Sequence, residues 1–193
     1  YNKLDETAKG VYIISATPFK DSGELDLEST KKLVDFYLEK GVDGITVLGV
    51  MGEAPKLTTE ESKLFLSTVI KQVNQRVPII VGVSNPGIDN LIDLSNFSMD
   101  NEAAGVMIAP PPGIGTEEKL YNYLTNILNK LDDRIPVCYQ DYPFFTKSEI
   151  SIPTFNKIVE EYDQVVMFKH EEWPGLNKLS KLRKSSDDGD IRR

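Results

Sequence analysis

The chain has 193 residues, of which 40% are hydrophobic and 27% are charged, a composition typical of a soluble domain with a buried core. Its net charge of −8 argues against nucleic acids and anionic membranes as partners, because both attract basic surfaces. Cys138 is the only cysteine, and no apolar run approaches the roughly 18 residues that span a bilayer, so we predict a cytoplasmic protein without disulfides.

Short apolar runs alternate with longer amphipathic segments along the chain. The runs predict six strands, at 10–19, 44–49, 78–84, 105–111, 136–143 and 165–170. The amphipathic segments predict helices at 27–41, 58–75, 116–133, 151–163 and near 174–185. The strand starts recur about every 27 to 35 residues, which is near the size of one βα unit.

Such alternation favours a parallel sheet covered by helices, either an open doubly wound sheet or a closed TIM-type (β/α)8 barrel. The first β-to-α loop lacks a G-x-G-x-x-G motif, so nothing supports the dinucleotide-binding form of the open sheet. A complete barrel has eight βα units and about 250 residues. We therefore predict a single barrel domain over residues 1–193 that covers about six units and lacks its C-terminal ones. The first and sixth strands are then expected to be separated by a gap about two strands wide.

The sixth predicted strand ends in Lys169, after the apolar run VVMF. A lysine at the carboxyl end of such a strand either escapes to solvent or enters a pocket as a nucleophile. Strand alternation places Glu171 on the same face as Lys169 and His170 on the opposite face. If Lys169 faces the barrel interior, His170 faces the helices, which predicts a structural role for His170. We predict no metal site from Asp141, His170, Glu171 and Glu172, because one histidine without ligand-like spacing is a weak signal.

Two further loops follow predicted strands. In YQDYP, the end of the fifth strand, alternation separates Gln140 from Tyr139, and a buried glutamine that faces a pocket finds polar partners there. After the second strand, Gly49 and Gly52 would allow backbone N–H groups to approach a carboxylate closely. An ordinary tight β-to-α turn is the alternative interpretation of these two glycines.

These stretches together resemble the dihydrodipicolinate synthase/N-acetylneuraminate lyase family of class I aldolases. The matching features are ATPF at 16–19, GVDGITVLGVMGEAPKLT at 41–58, AGVMIAPP at 104–111, a proline that closes the fifth strand at Pro143, and Lys169. The resemblance covers nearly the whole chain and implies a Schiff base between Lys169 and pyruvate or a related 2-keto acid. It implies no cofactor, and it leads us to expect a homo-oligomer, either a dimer or a tetramer.

The resemblance also implies the other site residues. Gln140 or Tyr139 would line the pocket beside the lysine, and we expect both to be catalytic residues together with Lys169. The substrate carboxylate would be held by the loop after the second strand together with a threonine of the first, that is, by Gly49, Val50, Met51, Gly52, Glu53 and Thr17.

The chain departs from the family pattern where that pattern carries hydroxyl groups. Residues 50–51 replace two threonines, Gln140 occupies the place of a tyrosine, and prolines at 111–112 replace two tyrosines. An arginine that meets the second substrate of the synthase would fall near Phe145. We therefore expect a divergent lyase or aldolase rather than dihydrodipicolinate synthase activity. The alternatives are a dehydratase of a 2-keto-3-deoxy sugar acid, which uses the same iminium chemistry, and a non-catalytic relative that binds keto acids.

Overall fold

A computed structural model describes residues 2–191 of the chain. Strands and helices alternate throughout this range. The strands are β1 (Tyr12–Ile14), β2 (Gly44–Val47), β3 (Ile79–Gly82), β4 (Gly105–Ile108), β5 (Val137–Asp141) and β6 (Val165–His170). The helices are α1 (Leu27–Glu39), α2 (Thr59–Val73), α3 (Ile88–Asp100), α4 (Glu117–Lys130), α5 (Pro143–Thr146), α6 (Ile152–Glu161) and α7 (Leu176–Asp187), with a short 3₁₀ turn at Ala54–Lys56.

All predicted strands and helices are present in the described range, and most are shorter at their ends than the sequence pattern indicates. The polar tail SSDDGDIRR begins as the last turn of α7, and its final two residues lie outside the described range. Within residues 2–191, no helix combines the length and the apolar character that crossing a bilayer requires.

The chain divides into two compact units, one ending at Met107 and the other beginning at Ile108. The single domain over residues 1–193 therefore stays a prediction. In the first unit, neighbouring strands pair in parallel, β1 with β2, β2 with β3 and β3 with β4. Strands β2 and β3 are buried along their whole length, as near-continuous apolar runs in a parallel sheet require.

Helix α2 shows how the sequence fixes the helices of the first unit. The Thr58 hydroxyl accepts a hydrogen bond from the Glu61 backbone N–H, and the Glu61 carboxylate accepts one from the Thr58 N–H. This capping box satisfies two backbone donors that the first helical turn leaves free. The buried side of the helix carries Phe65, Leu66 and Val69, and α2 packs against α1.

In the second unit, β5 pairs in parallel with β6 beneath α4 and α6. The segment predicted as an amphipathic helix at 116–133 buries one apolar stripe, formed by Leu120, Leu124, Ile127, Leu128 and Leu131. Ser151 is the N-cap of helix α6, and its hydroxyl accepts a hydrogen bond from the Thr154 N–H. Pro153 fits the first turn, where no N–H is needed. These two helices cover one face of the β5–β6 pair.

Candidate active site

The pairing of β5 with β6 aligns two residues predicted for the site. Gln140 lies opposite Lys169, and Asp141 lies opposite His170. The register shifts by one residue between Val137 and Cys138, so the regular alternation of faces applies from Met167 onward. Neighbouring residues of this parallel pair therefore point to opposite faces, as the sequence predicts.

On one face, three polar side chains are linked to one another. The Lys169 ammonium forms an ion pair with Oε1 of Glu171, and the same oxygen accepts a hydrogen bond of 2.6 Å from Gln140 Nε2. Gln140 is buried, whereas the side chains of Lys169 and Glu171 are 25% and 33% exposed. The charged ends of the pair are thus partly sheltered from water and still open to a small molecule.

Glu171 is a site residue that the sequence analysis did not include. It follows the last residue of β6, and its backbone N–H donates to the Asp141 carbonyl at 2.8 Å, which extends the strand pairing by one bond. The signal available in the sequence was the K-x-E spacing, because residues two apart on an extended chain share a face. The contact with Gln140 depends on the register of β5 and β6, which the spacing alone does not give.

Tyr139 points to the opposite face, away from the linked side chains of Lys169, Glu171 and Gln140. Its ring stacks on Phe168, with centroids 6.1 Å apart, and lies 6.0 Å from the ring of Phe155 in α6. Burial raises the pKa of the Tyr139 phenol well above its usual range, and its hydroxyl finds no hydrogen-bond partner within residues 2–191. Of the two predicted pocket residues, Gln140 is therefore the one linked to Lys169.

The same helix-facing side of the strands holds a buried ionic network. Asp141 Oδ2 lies 2.8 Å from His170 Nδ1 and 2.9 Å from the ammonium of Lys178, which extends from α7. The side chains of Asp141 and His170 are 0% and 1% exposed. His170 occupies the helix-facing position that alternation predicts for it, stacked on the Phe168 ring.

This network also places three potential metal-ligand atoms within 4.8 Å of one another, one each from Asp141, His170 and Glu172. The Lys178 ammonium, however, already contacts this group, at 2.9 Å from Asp141 and 3.8 Å from Glu172. A side-chain cation therefore supplies the positive charge that these carboxylates need. The absence of a metal at this site remains a prediction.

Cys138 shares the face of Gln140 and is 2% exposed. Burial raises the pKa of the thiol to about 12, although the charge of Lys169 opposes this shift. Since the thiolate is the reactive form, Cys138 is an inert, buried residue at neutral pH.

In the first unit, the loop after β2 has a tightly fixed backbone. Thr17 donates a hydrogen bond of 2.7 Å from its hydroxyl to the Gly52 carbonyl, and both residues are buried. Leu48 adopts a left-handed φ of 55°, and its carbonyl oxygen would lie only 2.1 Å from a Cβ placed on Gly82. Only glycine fits at position 82, so β3 supports the strained turn from below.

The same loop leaves backbone donors available. Within the described part of the chain, the N–H groups of Val50 and Met51 donate to no acceptor, and Met51 is 60% exposed. Glu53, which also has a φ of 55°, turns its carboxylate to Lys56 at 2.7 Å. The predicted role of this loop therefore rests on its backbone rather than on the side chain of Glu53.

Comparison with known proteins places this arrangement in a family. A model of the dihydrodipicolinate synthetase family matches residues 7–189. The crystal structure of dihydrodipicolinate synthase from Rhodopseudomonas palustris superimposes with a TM-score of 0.95 at 41% identity, over 100% of this chain and 64% of that one. This match confirms the predicted barrel-type fold, of which residues 2–191 supply six strands.

Two curated relatives have different activities. The 4-hydroxy-tetrahydrodipicolinate synthase of Nitrosospira multiformis is 33% identical over 159 residues, which is 81% of this chain and 52% of that protein. The L-2-keto-3-deoxyarabonate dehydratase of Azospirillum brasilense is 31% identical over 178 residues, 90% of this chain and 57% of that protein. The chain thus spans little more than half the length of these relatives. With a family model matched over almost its entire length, the chain belongs to the dihydrodipicolinate synthetase family.

Proposed function

We propose that the protein is a class I lyase or aldolase that forms a Schiff base between Lys169 and pyruvate or a related 2-keto acid. The observation that carries the proposal is the position of Lys169 at the carboxyl end of β6, half-buried and paired with Glu171. In barrels of this type, catalytic side chains come from the carboxyl ends of the strands. Membership of the dihydrodipicolinate synthetase family supports the same chemistry.

The chemistry of an imine explains why a lysine is needed there. A neutral amine attacks the ketone, water leaves, and the resulting iminium withdraws electrons from the neighbouring carbon–carbon bond. A carbanion at the adjacent carbon is thereby stabilised, so that carbon–carbon or carbon–oxygen bonds form or break beside it. Gln140 lines this reaction centre through its hydrogen bond to Glu171.

For the loop of the first unit, we propose a separate role in holding a carboxylate. The N–H groups of Val50 and Met51 are the donors, and the Thr17 hydroxyl fixes the loop through Gly52. Titration with pyruvate is expected to shift the amide signals of Val50 and Met51 in a ¹⁵N–¹H spectrum. Unchanged signals at saturating pyruvate would exclude this loop as a carboxylate-binding element.

A second candidate function is the dehydration of a 2-keto-3-deoxy sugar acid through the same iminium. The arabonate dehydratase among the relatives favours it, as does a carboxyl group beside the lysine that can protonate a departing hydroxyl. The two activities give different products from one substrate. A lyase releases pyruvate and an aldehyde, whereas a dehydratase gives a single product lighter by one water. A relative that only binds keto acids gives neither product.

The decisive test is borohydride trapping with pyruvate, followed by peptide mass spectrometry. We expect a covalent adduct on Lys169 in the parent protein and none in the Lys169→Ala variant. Lys169→Arg is expected to fail equally, because a guanidinium stays protonated and cannot attack a carbonyl. Turnover by either variant at a rate near that of the parent would exclude the Schiff-base mechanism.

The cellular setting completes the proposal. A single cysteine, which is buried, fits a reducing compartment, and we propose the cytoplasm. We also propose that the protein is a homo-oligomer, either a dimer or a tetramer. Light scattering on the purified protein will measure the mass of the oligomer.

A further inference from the structure

The contact between Lys169 and Glu171 raises the question of where protons go during imine formation. The ammonium must lose a proton before it attacks, and the carbonyl oxygen must gain protons before it leaves as water. A group that performs both transfers has to lie within hydrogen-bond reach of the nitrogen and has to change its protonation state.

The groups near Lys169 in the second unit differ in their ability to do this. Gln140 cannot titrate. The Cys138 thiol has a pKa of about 12 and stays protonated at neutral pH. The hydroxyl of Tyr139 is enclosed on the opposite face, with Phe155 and Phe168 against its ring.

Glu171 meets both requirements. Its Oε1 contacts the Lys169 ammonium directly, and its side chain is 33% exposed, so the carboxyl group can reach a bound molecule as well as the lysine. The hydrogen bond of 2.6 Å from Gln140 Nε2 fixes the same oxygen in place. Because an amide donates without taking up or releasing a proton, Gln140 orients the carboxylate and leaves its titration to the reaction.

We propose that Glu171 is the proton carrier of the Schiff-base reaction and that Gln140 is its positioning residue. Glu171 accepts a proton from the Lys169 ammonium, which leaves a neutral amine and a carboxylic acid. The amine nitrogen bonds to the carbonyl carbon, and the nitrogen passes a second proton to the resulting alkoxide. The carboxylic acid then protonates this hydroxyl, the carbon–oxygen bond breaks, and water departs.

The sequence of transfers is balanced. The nitrogen loses two protons, the carbonyl oxygen leaves with those two as water, and Glu171 returns to the carboxylate beside an iminium. From that state, Glu171 removes a proton from the carbon next to the iminium carbon. The electron pair of the broken C–H bond forms the enamine and neutralises the nitrogen.

The test separates imine formation from proton transfer at carbon and rests on the proposed function. Pyruvate is the probe, with two readouts: the Lys169 adduct trapped by borohydride, and exchange of the pyruvate methyl protons for solvent deuterium, followed by ¹H NMR. The variant is Glu171→Gln, which keeps the shape and removes the titrating oxygen. The matched control is Glu172→Gln, which makes the same charge change one residue away, where the side chain faces Lys178.

We expect Glu171→Gln to form the Lys169 adduct slowly and to lose exchange by about 10²- to 10⁴-fold, the range typical of a lost general acid–base group. Glu172→Gln is expected to exchange within about threefold of the parent, and Lys169→Ala is expected to exchange at the uncatalysed rate. The exchange rate of the parent plotted against pH has an acidic limb from the carboxylate, and Glu171→Gln loses that limb. A merely structural role would leave the limb in place.

Two results would overturn the inference, and they differ from each other. Exchange by a folded Glu171→Gln variant at nearly the parental rate, with the Lys169 adduct present, would exclude Glu171 as the carrier and leave the proposed function standing. The absence of both adduct and exchange in the parent, over a panel of 2-keto acids, would overturn the proposed function and the inference with it.

Discussion

Lys178 neutralises a carboxylate that has no access to water. Asp141 is completely buried, and its Oδ2 is shared by the Lys178 ammonium and His170 Nδ1, while Oδ1 has no partner within residues 2–191. Removing one member of a buried ionic group leaves the other charge uncompensated, which is far more destabilising than the loss of an exposed ion pair.

We therefore predict that Lys178→Met lowers the free energy of unfolding by about 3 kcal/mol, measured by urea denaturation. Lys181→Met, on the exposed side of the same helix, is the matched control, and we expect it to change stability by less than about 0.5 kcal/mol. Adding Asp141→Asn to Lys178→Met is expected to recover part of the loss, because the uncompensated charge disappears. Equal stabilities of the two lysine variants would show that the network contributes no net stability.

At the scale of single residues, the sequence predicts where the candidate site lies better than it predicts which side chains form the site. Alternation along β6 gives Lys169 its face and His170 the opposite one, and both positions agree with the structure. The same alternation separates Tyr139 from Gln140, so only the family resemblance, and not the strand pattern, predicts that Tyr139 lines the pocket. The link from Gln140 to Glu171 joins residues 31 apart and follows from the strand register, which no local pattern encodes.

At the scale of elements, α4 and α6 are held together at their N-terminal ends. Glu117, in the first turn of α4, accepts a hydrogen bond of 2.6 Å from the backbone N–H of Ser151, the N-cap of α6. The Ser151 side chain lowers the pKa of the Glu117 carboxyl below its ordinary value, burial opposes this shift, and the backbone hydrogen bond from Ser151 adds to the lowering. A group whose pKa is lowered by folding stabilises the folded state above its ordinary pKa and loses that effect as pH falls.

We predict that Glu117→Gln lowers the unfolding free energy by about 0.5 kcal/mol at pH 7, since the group is exposed to solvent screening. The difference from the parent is expected to shrink below pH 4.5, the ordinary value for this carboxyl, and to vanish once the pH falls through its lowered folded value. Glu118→Gln is the control, because it removes the same charge from the same helical turn without touching Ser151. If both variants show one pH dependence, the helix dipole and not the Ser151 contact is responsible.

Helix α3 is the element that the sequence pattern does not predict. It has no side-chain cap at Gly87, and its sequence is rich in Asp, Asn and Ser, residues with modest helix propensity. Ser95 and Ser98 are fully buried because their hydroxyls donate to the carbonyls of Leu91 and Leu94 in the preceding turn. Polar residues on the buried face hide the helical periodicity of the sequence. Tertiary packing, and not the hydrophobic pattern, therefore determines that this segment forms a helix.

For the whole molecule, the prediction of one domain can be tested by native-state hydrogen exchange. Ile45 donates its N–H to Pro78 in the first unit, and Val137 donates to Gln164 in the second, and both amides are buried. If residues 1–193 belong to one cooperative domain, these two amides are expected to exchange with the same opening free energy. A difference of more than about 2 kcal/mol would mean that the two units open independently.

The general architecture was predictable because strand–helix alternation is a long-range property repeated in every unit. A single βα unit gives only a weak sequence signal, and its repetition at a spacing of about 30 residues makes the pattern recognisable. The compact unit that ends at Met107 shows this clearly, since its strands pair in parallel in the chain order that alternation implies. The kinked backbone at Leu48 and the close approach of Gly82 could not be predicted, because both depend on how two consecutive strands meet.

The alternating faces of β5 and β6 make these strands tolerant of substitution and intolerant of changes in length. A residue inserted just before Lys169 would turn the lysine toward the ring of Phe155 and bring His170 to the face of Gln140. One such event would destroy the reactive amine and the ionic network together, while a point change damages only one of them. Over evolutionary time we therefore expect insertions and deletions to be confined to exposed loops such as 111–116, and the lengths of β5 and β6 to stay fixed.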